Sequence, residues 1–273
     1  LNYRQLAKLK STYADGLQEC IAEDGRIHST FNQTEARTGR ISSLEPNLQN
    51  IPVRTAEGRR LREYFNAPAG RVLCDADYSQ IELRVLAHIS GDRNMIKAFN
   101  DNTDIHTVTA SEVFDMPPQL VTPIMRSRAK AVNFGIVYGI GAFSLAKDIG
   151  VSRSEADEYI KGYLSHYSGV DKYMHDVVEK AKKDGYAETM FARRRYLPEL
   201  TASNANTRAF GERVARNMPI QGPAADIIKI AVIQVYERLE RENLAAKLIM
   251  QVHDELIVEA PENEKERVSA LLK

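Results

Sequence analysis

The sequence predicts an α+β fold, on three observations. Strand-like runs are few, helical periodicity fills long stretches between them, and the composition suits a packed core. Hydrophobic residues make up 43% of the 273 and charged residues 27%, a normal globular balance. The length fits one large or two medium domains. Lys+Arg and Asp+Glu are 37 each. Neutrality argues against a protein that grips nucleic acid by bulk charge, although a local basic stripe facing an acidic back stays open. Cys20 and Cys74 are far apart and lack metal spacing, which suits a reducing cytosol and rules out a disulfide scaffold. No apolar run of about 18 residues is present, so no membrane span is expected. The chain opens at Leu1 without methionine and stops in a charged helical pattern near Lys273, and it reads as a piece of something longer.

The elements follow in order. Residues 2–22 have helical periodicity, and "RIHSTFNQ" after them is a short extended stretch. Residues 35–52, rich in Asn, Ser, Gly and Pro, read as an ordered loop. "RVLCDADYSQIELRVLAHIS" (71–90) runs from strand to helix. Residues 92–170 are mostly helical, divided by Pro117, Pro118 and Pro123, and another helix covers about 171–184. "GYAETMFARRRYLPEL" is extended and strongly basic. A helix near 205–217 is expected to end before Pro219, and an amphipathic one follows over roughly 224–242, with Ile228, Ala231, Val232, Val235 and Leu239 on one face. A hairpin, "LIMQVHDELIVEA" (248–260), comes last. Its tip holds His253, Asp254 and Glu255 without the glycine such turns usually recruit.

Alternation along 72–77 puts Leu73, Asp75 and Asp77 on one face of a strand. Asp254 ends another strand 177 residues later. If the two strands are neighbours, two carboxylates converge, and one must protonate unless a cation lies between them. A hard divalent ion such as Mg²⁺ is the natural occupant, and paired ions on shared carboxylates serve phosphoryl transfer. Taken singly, Asp77 and Asp254 read first as solvated strand ends. Asp75, one pleat earlier, is the weaker candidate. "SQIE" (79–82) matches a capping box in which Ser79 caps the helix and Glu82 reaches back, and His253 could simply satisfy the turn.

In "MRSRAKAVNFGIVYGIG" (125–141), Arg126, Lys130, Phe134 and Tyr138 are spaced by four and share a slowly turning helix face about 18 Å long. Cations come first and aromatics second, the polarity of a nucleoside triphosphate: phosphates at one end, a flat base at the other. A buried amphipathic face is the alternative, but such a face would not begin with Arg and Lys.

These residues carry a resemblance. "DYSQIELR" (77–84), "RSRAKAVNFGIVYG" (126–139) and "VHDE" (252–255) resemble, in order, the three signature motifs of family A DNA polymerases, the bacterial DNA polymerase I type. The connecting sequence is similar from about residue 2 to the end. The resemblance implies a right-hand polymerase architecture with an antiparallel palm sheet and mostly helical fingers. It divides the chain into a thumb-to-palm connection (1–34), a first palm part (35–91), mainly fingers (92–200) and a second palm part (201–273). It implies template-directed DNA synthesis in replication and repair, two Mg²⁺ ions (Mn²⁺ as a substitute), primer-template DNA and dNTPs as partners, a monomer, and a cytoplasmic, nucleoid-associated location. Asp77, Asp254 and the Tyr78 carbonyl are implied metal ligands, with Glu255 secondary. Arg126 and Lys130 would hold the triphosphate, and Lys130 could protonate the leaving pyrophosphate. Tyr138 would guard the insertion site, Glu82 would exclude a ribose 2′-hydroxyl, and Phe134 matches members that discriminate against dideoxynucleotides. His106 and Gln80 resemble further nucleotide contacts. DNA contacts are implied for Arg40, Asn47, Gln49, Asn50, Arg193, Arg213, Asn217, Gln221 and His253.

The chain departs from the family pattern at Pro223, usually Ser or Thr, and at Ala192, commonly glycine. It also ends before a further palm strand that the family carries. A metal-dependent nuclease needs similar carboxylates but has no use for the cation–aromatic stripe. A DNA-binding module without catalysis is a third reading.

Overall fold

A computed structural model describes residues 2–52 and 55–273. The chain begins with α1 (Asn2–Lys8), a π-helical turn (Leu9–Asp15) and α2 (Gly16–Glu19). Strands β1 (Thr30–Asn32) and β2 (Ser42–Leu44) pair antiparallel, so part of the expected 35–52 loop is sheet. Then come α3 (Ala56–Arg62), β3 (Arg71–Asp77), α4 (Ile81–Ser90), α5 (Arg93–Asn100), α6 (Ile105–Val113), α7 (Pro123–Val137), α8 (Ala142–Ile149), α9 (Arg153–His166) and α10 (Ser168–Asp184). A small hairpin, β4 (Tyr186–Glu188) and β5 (Arg194–Tyr196), precedes α11 (Ala205–Arg241). Strands β6 (Lys247–Val252) and β7 (Glu255–Pro261) and helix α12 (Lys265–Leu271) complete it.

The described residues form two compact units, one of residues up to Ser79 with Ala225–Lys273, the other Gln80–Ala224. The first is built on an antiparallel sheet of order β3-β7-β6. Period-two alternation gives the sheet one apolar face: Cys74, Leu256, Val258 and Ala260 are buried against Ile228, Val235 and Leu239 of α11 and Val268 and Leu271 of α12. The other face carries Leu73, Asp75 and Ile257. A bulge between Leu248 and Met250 shifts the β6 register so that Val252 faces Glu255 across a two-residue turn. His253 supplies the positive φ, 56°, that glycine normally would.

The second unit is helical. Thr122 caps α7, its side chain accepting from the Met125 amide, and Pro123 occupies the first turn, where its missing N–H costs nothing. Gly139 at φ 66° follows the end of α7. A Cβ on Gly139 would meet Arg213 Cγ of α11 at 3.2 Å, so the left-handed angle and the close approach both call for glycine.

Two sequence expectations are corrected. Residues 205–241 are one helix with Pro219 and Pro223 inside it, not two helices parted at Pro219. Each proline removes a backbone bond and crowds the preceding turn, at roughly 3 kcal/mol. Met218, Ile220, Ala224, Ala225 and Ile228 are all buried around them, and that packing holds the helix through the lesion. The Ser79–Glu82 capping box is also out of frame: α4 starts at Ile81 with Gln80 at the cap position, left-handed and without a side-chain cap bond.

Candidate active site

Two sets of candidate residues lie in different units. In the first, β3 and β7 pair from Arg71↔Pro261 to Asp77↔Glu255, which sets the sheet end beside the β6–β7 turn. The Tyr78 amide donates to the Asp254 carbonyl at 3.1 Å. Asp77 and Asp254, 177 positions apart in sequence, are therefore brought to one sheet end. Their charges interact: burial, then Asp254, then Asp75 push the Asp77 carboxyl above its usual range. Glu255 goes further, to about 7, through burial and through the charge and hydrogen bond of Asp75, with Arg62 opposing. Asp75, placed low by its sequence position, is thus a full member of the cluster.

This donor set is all oxygen, crowded and anionic, and it fits a hard divalent cation. Among the described residues no group of three or more His, Cys, Asp or Glu is arranged to hold a metal. A pair of carboxylates suits Mg²⁺, which keeps waters and takes substrate phosphate oxygens rather than filling an all-protein cage. His253 reaches solvent at the turn, yet the part of its ring packed against the sheet end, and then nearby Arg40, lower its pKa.

In the second unit the α7 stripe lies open while the opposite face is buried. Arg126 and Lys130 are exposed, Phe134 is half-buried and Tyr138 is 44% exposed. Ala129, Val132, Asn133, Ile136 and Val137 form the buried side. Lys130 Nζ sits 5.9 Å from the Phe134 ring centre. Tyr138 is just past the helix, and its hydroxyl donates to Glu82 Oε2 at 3.0 Å. Glu82 is only 6% exposed, so a tyrosine 56 residues away partners the carboxylate that the sequence read as a helix cap and the resemblance as a sugar gate.

Asp104, which caps α6, grips Arg126: Oδ2 accepts from Nε at 2.5 Å and Oδ1 from Nη2 at 3.2 Å. Burial opposes ionisation, but hydrogen bonds from Arg126 and Thr107 hold the Asp104 carboxyl down at about 2. The guanidinium keeps its remaining N–H groups for an anion. His106, next along α6, is 2% exposed and stacks at a tilt beside Phe134, ring centres 5.9 Å apart. Asp104 and Asn133 are absent from the sequence-based candidates. The only signal for Asp104 was its place in "DIHT", beside His106.

The implied DNA contacts are spread over both units. In the first, Arg40 is half-buried and Asn47 and Asn50 are exposed, while Gln49 is 7% exposed and its Nε2 donates to the Gln251 carbonyl at 3.0 Å. In the second, Arg193 is half-buried in the β4–β5 turn. Arg213, Asn217 and Gln221 recur every four residues on α11 and share a face because the helix is unbroken. Asn217 Nδ2 finds no hydrogen-bond partner among the described residues, an unspent donor.

A family model described as DNA polymerase family A matches residues 1–273. DNA polymerase I of Caldicellulosiruptor bescii is 52% identical over 274 residues, covering 100% of this chain and 32% of the relative. The thermostable DNA polymerase I of Thermus thermophilus is 48% identical, covering 100% of this chain and 33% of its own length. The chain thus spans about a third of the curated relatives it matches. Among solved structures, the POL domain of Pol1 from M. smegmatis, in complex with DNA primer-template and dNTP, superposes with a TM-score of 0.94 at 48% identity, over 98% of this chain and 47% of that one. The fold, a three-stranded antiparallel sheet unit and a helical unit, is that of a polymerase domain. Since the family pattern runs from the first residue to the last, the chain belongs to DNA polymerase family A.

Proposed function

We propose that the chain performs the nucleotidyl-transfer step of template-directed DNA synthesis. The primer 3′-hydroxyl attacks the α-phosphate of a bound dNTP, a new P–O bond forms, and pyrophosphate leaves. The observation that carries this reading is the meeting of Asp77 and Asp254 at one sheet end. Asp77, Asp254 and the Tyr78 carbonyl are the proposed ligands of two Mg²⁺ ions, with Mn²⁺ as substitute, and Glu255 is secondary. Bound there, the cations would activate the attacking oxygen and stabilise the departing one.

The chain's own groups do the remaining work. Arg126, held in orientation by Asp104, and Lys130 bind the triphosphate, and Lys130 gives a proton to the leaving pyrophosphate. His106 and Gln80 add polar contacts to the nucleotide. Tyr138 and Phe134 offer faces to the base and sugar, and Glu82 fills the space a 2′-hydroxyl would need. Arg40, Asn47, Gln49, Asn50, Arg193, Arg213, Asn217, Gln221 and His253 are the proposed primer-template contacts. Amide and guanidinium donors such as Asn217 and Arg213 can reach minor-groove acceptors that every correct pair presents. We assign 1–34 as the thumb-to-palm connection, 35–91 and 201–273 as palm, and 92–200 mainly as fingers, in a cytoplasmic monomer.

Primer extension with Mg²⁺ and four dNTPs tests the reading. Asp77→Asn or Asp254→Asn should cut incorporation by about a thousandfold or more, at the upper end of losing one charge-stabilising group, while primer-template affinity stays close to wild type. Wild-type turnover in either variant defeats the assignment, and strand loss in place of incorporation favours a nuclease.

A further inference from the structure

Behind the α7 stripe, the second unit buries a polar chain that the proposed reaction leaves unexplained. Tyr167, Thr109, Asn133 and His106 are each at most 2% exposed. The Tyr167 hydroxyl and Thr109 Oγ1 are 3.3 Å apart, Thr109 Oγ1 donates to Asn133 Oδ1 at 3.2 Å, and Asn133 Nδ2 lies 3.1 Å from Thr109 Oγ1 and from His106 Nδ1. Polar groups so deeply buried are costly unless each is satisfied in a fixed sense.

The sense of the last bond follows from the donor inventory. An amide nitrogen can only donate, so His106 Nδ1 must accept, and the single proton of a neutral ring then sits on Nε2. A second proton is resisted. Burial, opposed by Asp104 and aided by Arg126 and Lys130, draws the imidazole down to about 4. Those three are the charged groups that face the ring; Tyr167 reaches it only through Thr109.

We infer that Asn133 is a positioning residue that locks His106 in its Nε2–H tautomer, so that an uncharged N–H donor, not a lone pair, stands beside the Arg126–Lys130 row. The inference rests on reading that row as the triphosphate site. A phosphate oxygen is attracted by the N–H and repelled by the lone pair the other tautomer would show, and this donor stays constant across the range in which free imidazoles titrate. Nothing in "AKAVNFG" distinguishes this asparagine from its neighbours; only the fold turns it toward α6.

Nitrogen-15 NMR of the histidine-labelled 273-residue chain reads the tautomer without turnover. In the wild type, Nδ1 of His106 should show the unprotonated shift and Nε2 the protonated one, unchanged down to about pH 5. Asn133→Leu should mix or invert the two. Its KM for dNTP should rise about tenfold, the scale of one hydrogen bond to a charged group, with kcat changed less. Asn133→Asp, which accepts from Nδ1–H, should move the proton to Nδ1. A wild-type ring protonated at Nδ1, or an Asn133→Leu ring that keeps the Nε2–H tautomer, overturns the inference. The wild-type spectrum decides even where the buried Leu variant folds poorly. A chain that shows the expected tautomer but neither binds nor incorporates dNTP would defeat the triphosphate reading and leave the tautomer assignment standing.

Discussion

Ala192 holds φ at 61° in the β4–β5 turn, a conformation that costs an L side chain roughly 1–2 kcal/mol. Glycine would remove that strain but adds about 0.4–1 kcal/mol of chain entropy to the unfolded state. Ala192→Gly should therefore raise stability by about 0.5–1 kcal/mol in urea melts, and a lowered midpoint would show the turn to be relaxed as it stands. His106 gives a pH signature. The unfolded chain takes up this proton near pH 6.5 and the folded chain only near 4, so the contribution is full above 6.5 and is lost as pH falls toward 4. The linked loss is on the order of 3 kcal/mol over that whole range. Comparing wild type with His106→Leu at pH 7 and pH 5 isolates it, since the variant should lose less stability on acidification. Tyr138→Phe removes the donor to a buried carboxylate, and about 1–3 kcal/mol of stability should go with it. If Glu82 also sets sugar choice, the same variant should accept ribonucleotides more readily in primer extension.

The elements show which signals a sequence carries. The period of two in 72–77 and the spacing of four in 126–138 are local, and each put its side chains on one face without help from the rest of the fold. The capping-box pattern at Ser79–Glu82 was equally local; it fell one residue off the helix start at Ile81 and gave no sign that Glu82 accepts from Tyr138, 56 residues away. Asn133 gave no usable signal for the same reason, and Asp75, on the right face by its alternation, was ranked below Asp77, since their partners come from other elements. The two prolines of α11 are the opposite error, a strong local rule overridden by packing. Ile220→Ala, in a fully buried position beside them, should cost about 2–5 kcal/mol. Pro219→Ala should shift stability by only about 1 kcal/mol, a regained backbone bond offsetting a small void. Denaturant midpoints check both, and a larger effect at the proline would mean that its ring, not the surrounding core, fixes the helix.

For the whole molecule, 37 cations balance 37 anions, so any grip on DNA must come from placed contacts and not from net charge. If Arg193 meets a backbone phosphate, Arg193→Ala should weaken primer-template binding uniformly across sequences. It should also reduce the slope of log K against log salt by about one; an unchanged slope would remove Arg193 from the phosphate contacts. The unbroken α11 has a consequence of another kind. Arg213, Asn217 and Gln221 keep their common bearing only because every residue between them adds its fixed 100° of turn. Dropping or inserting one residue just before Asn217 would swing Arg213 a quarter-circle out of line with the other two, whatever the replacement chemistry. Length changes in this polypeptide should therefore be tolerated in exposed stretches such as 66–69, outside the helices and strands, and purged from the rod.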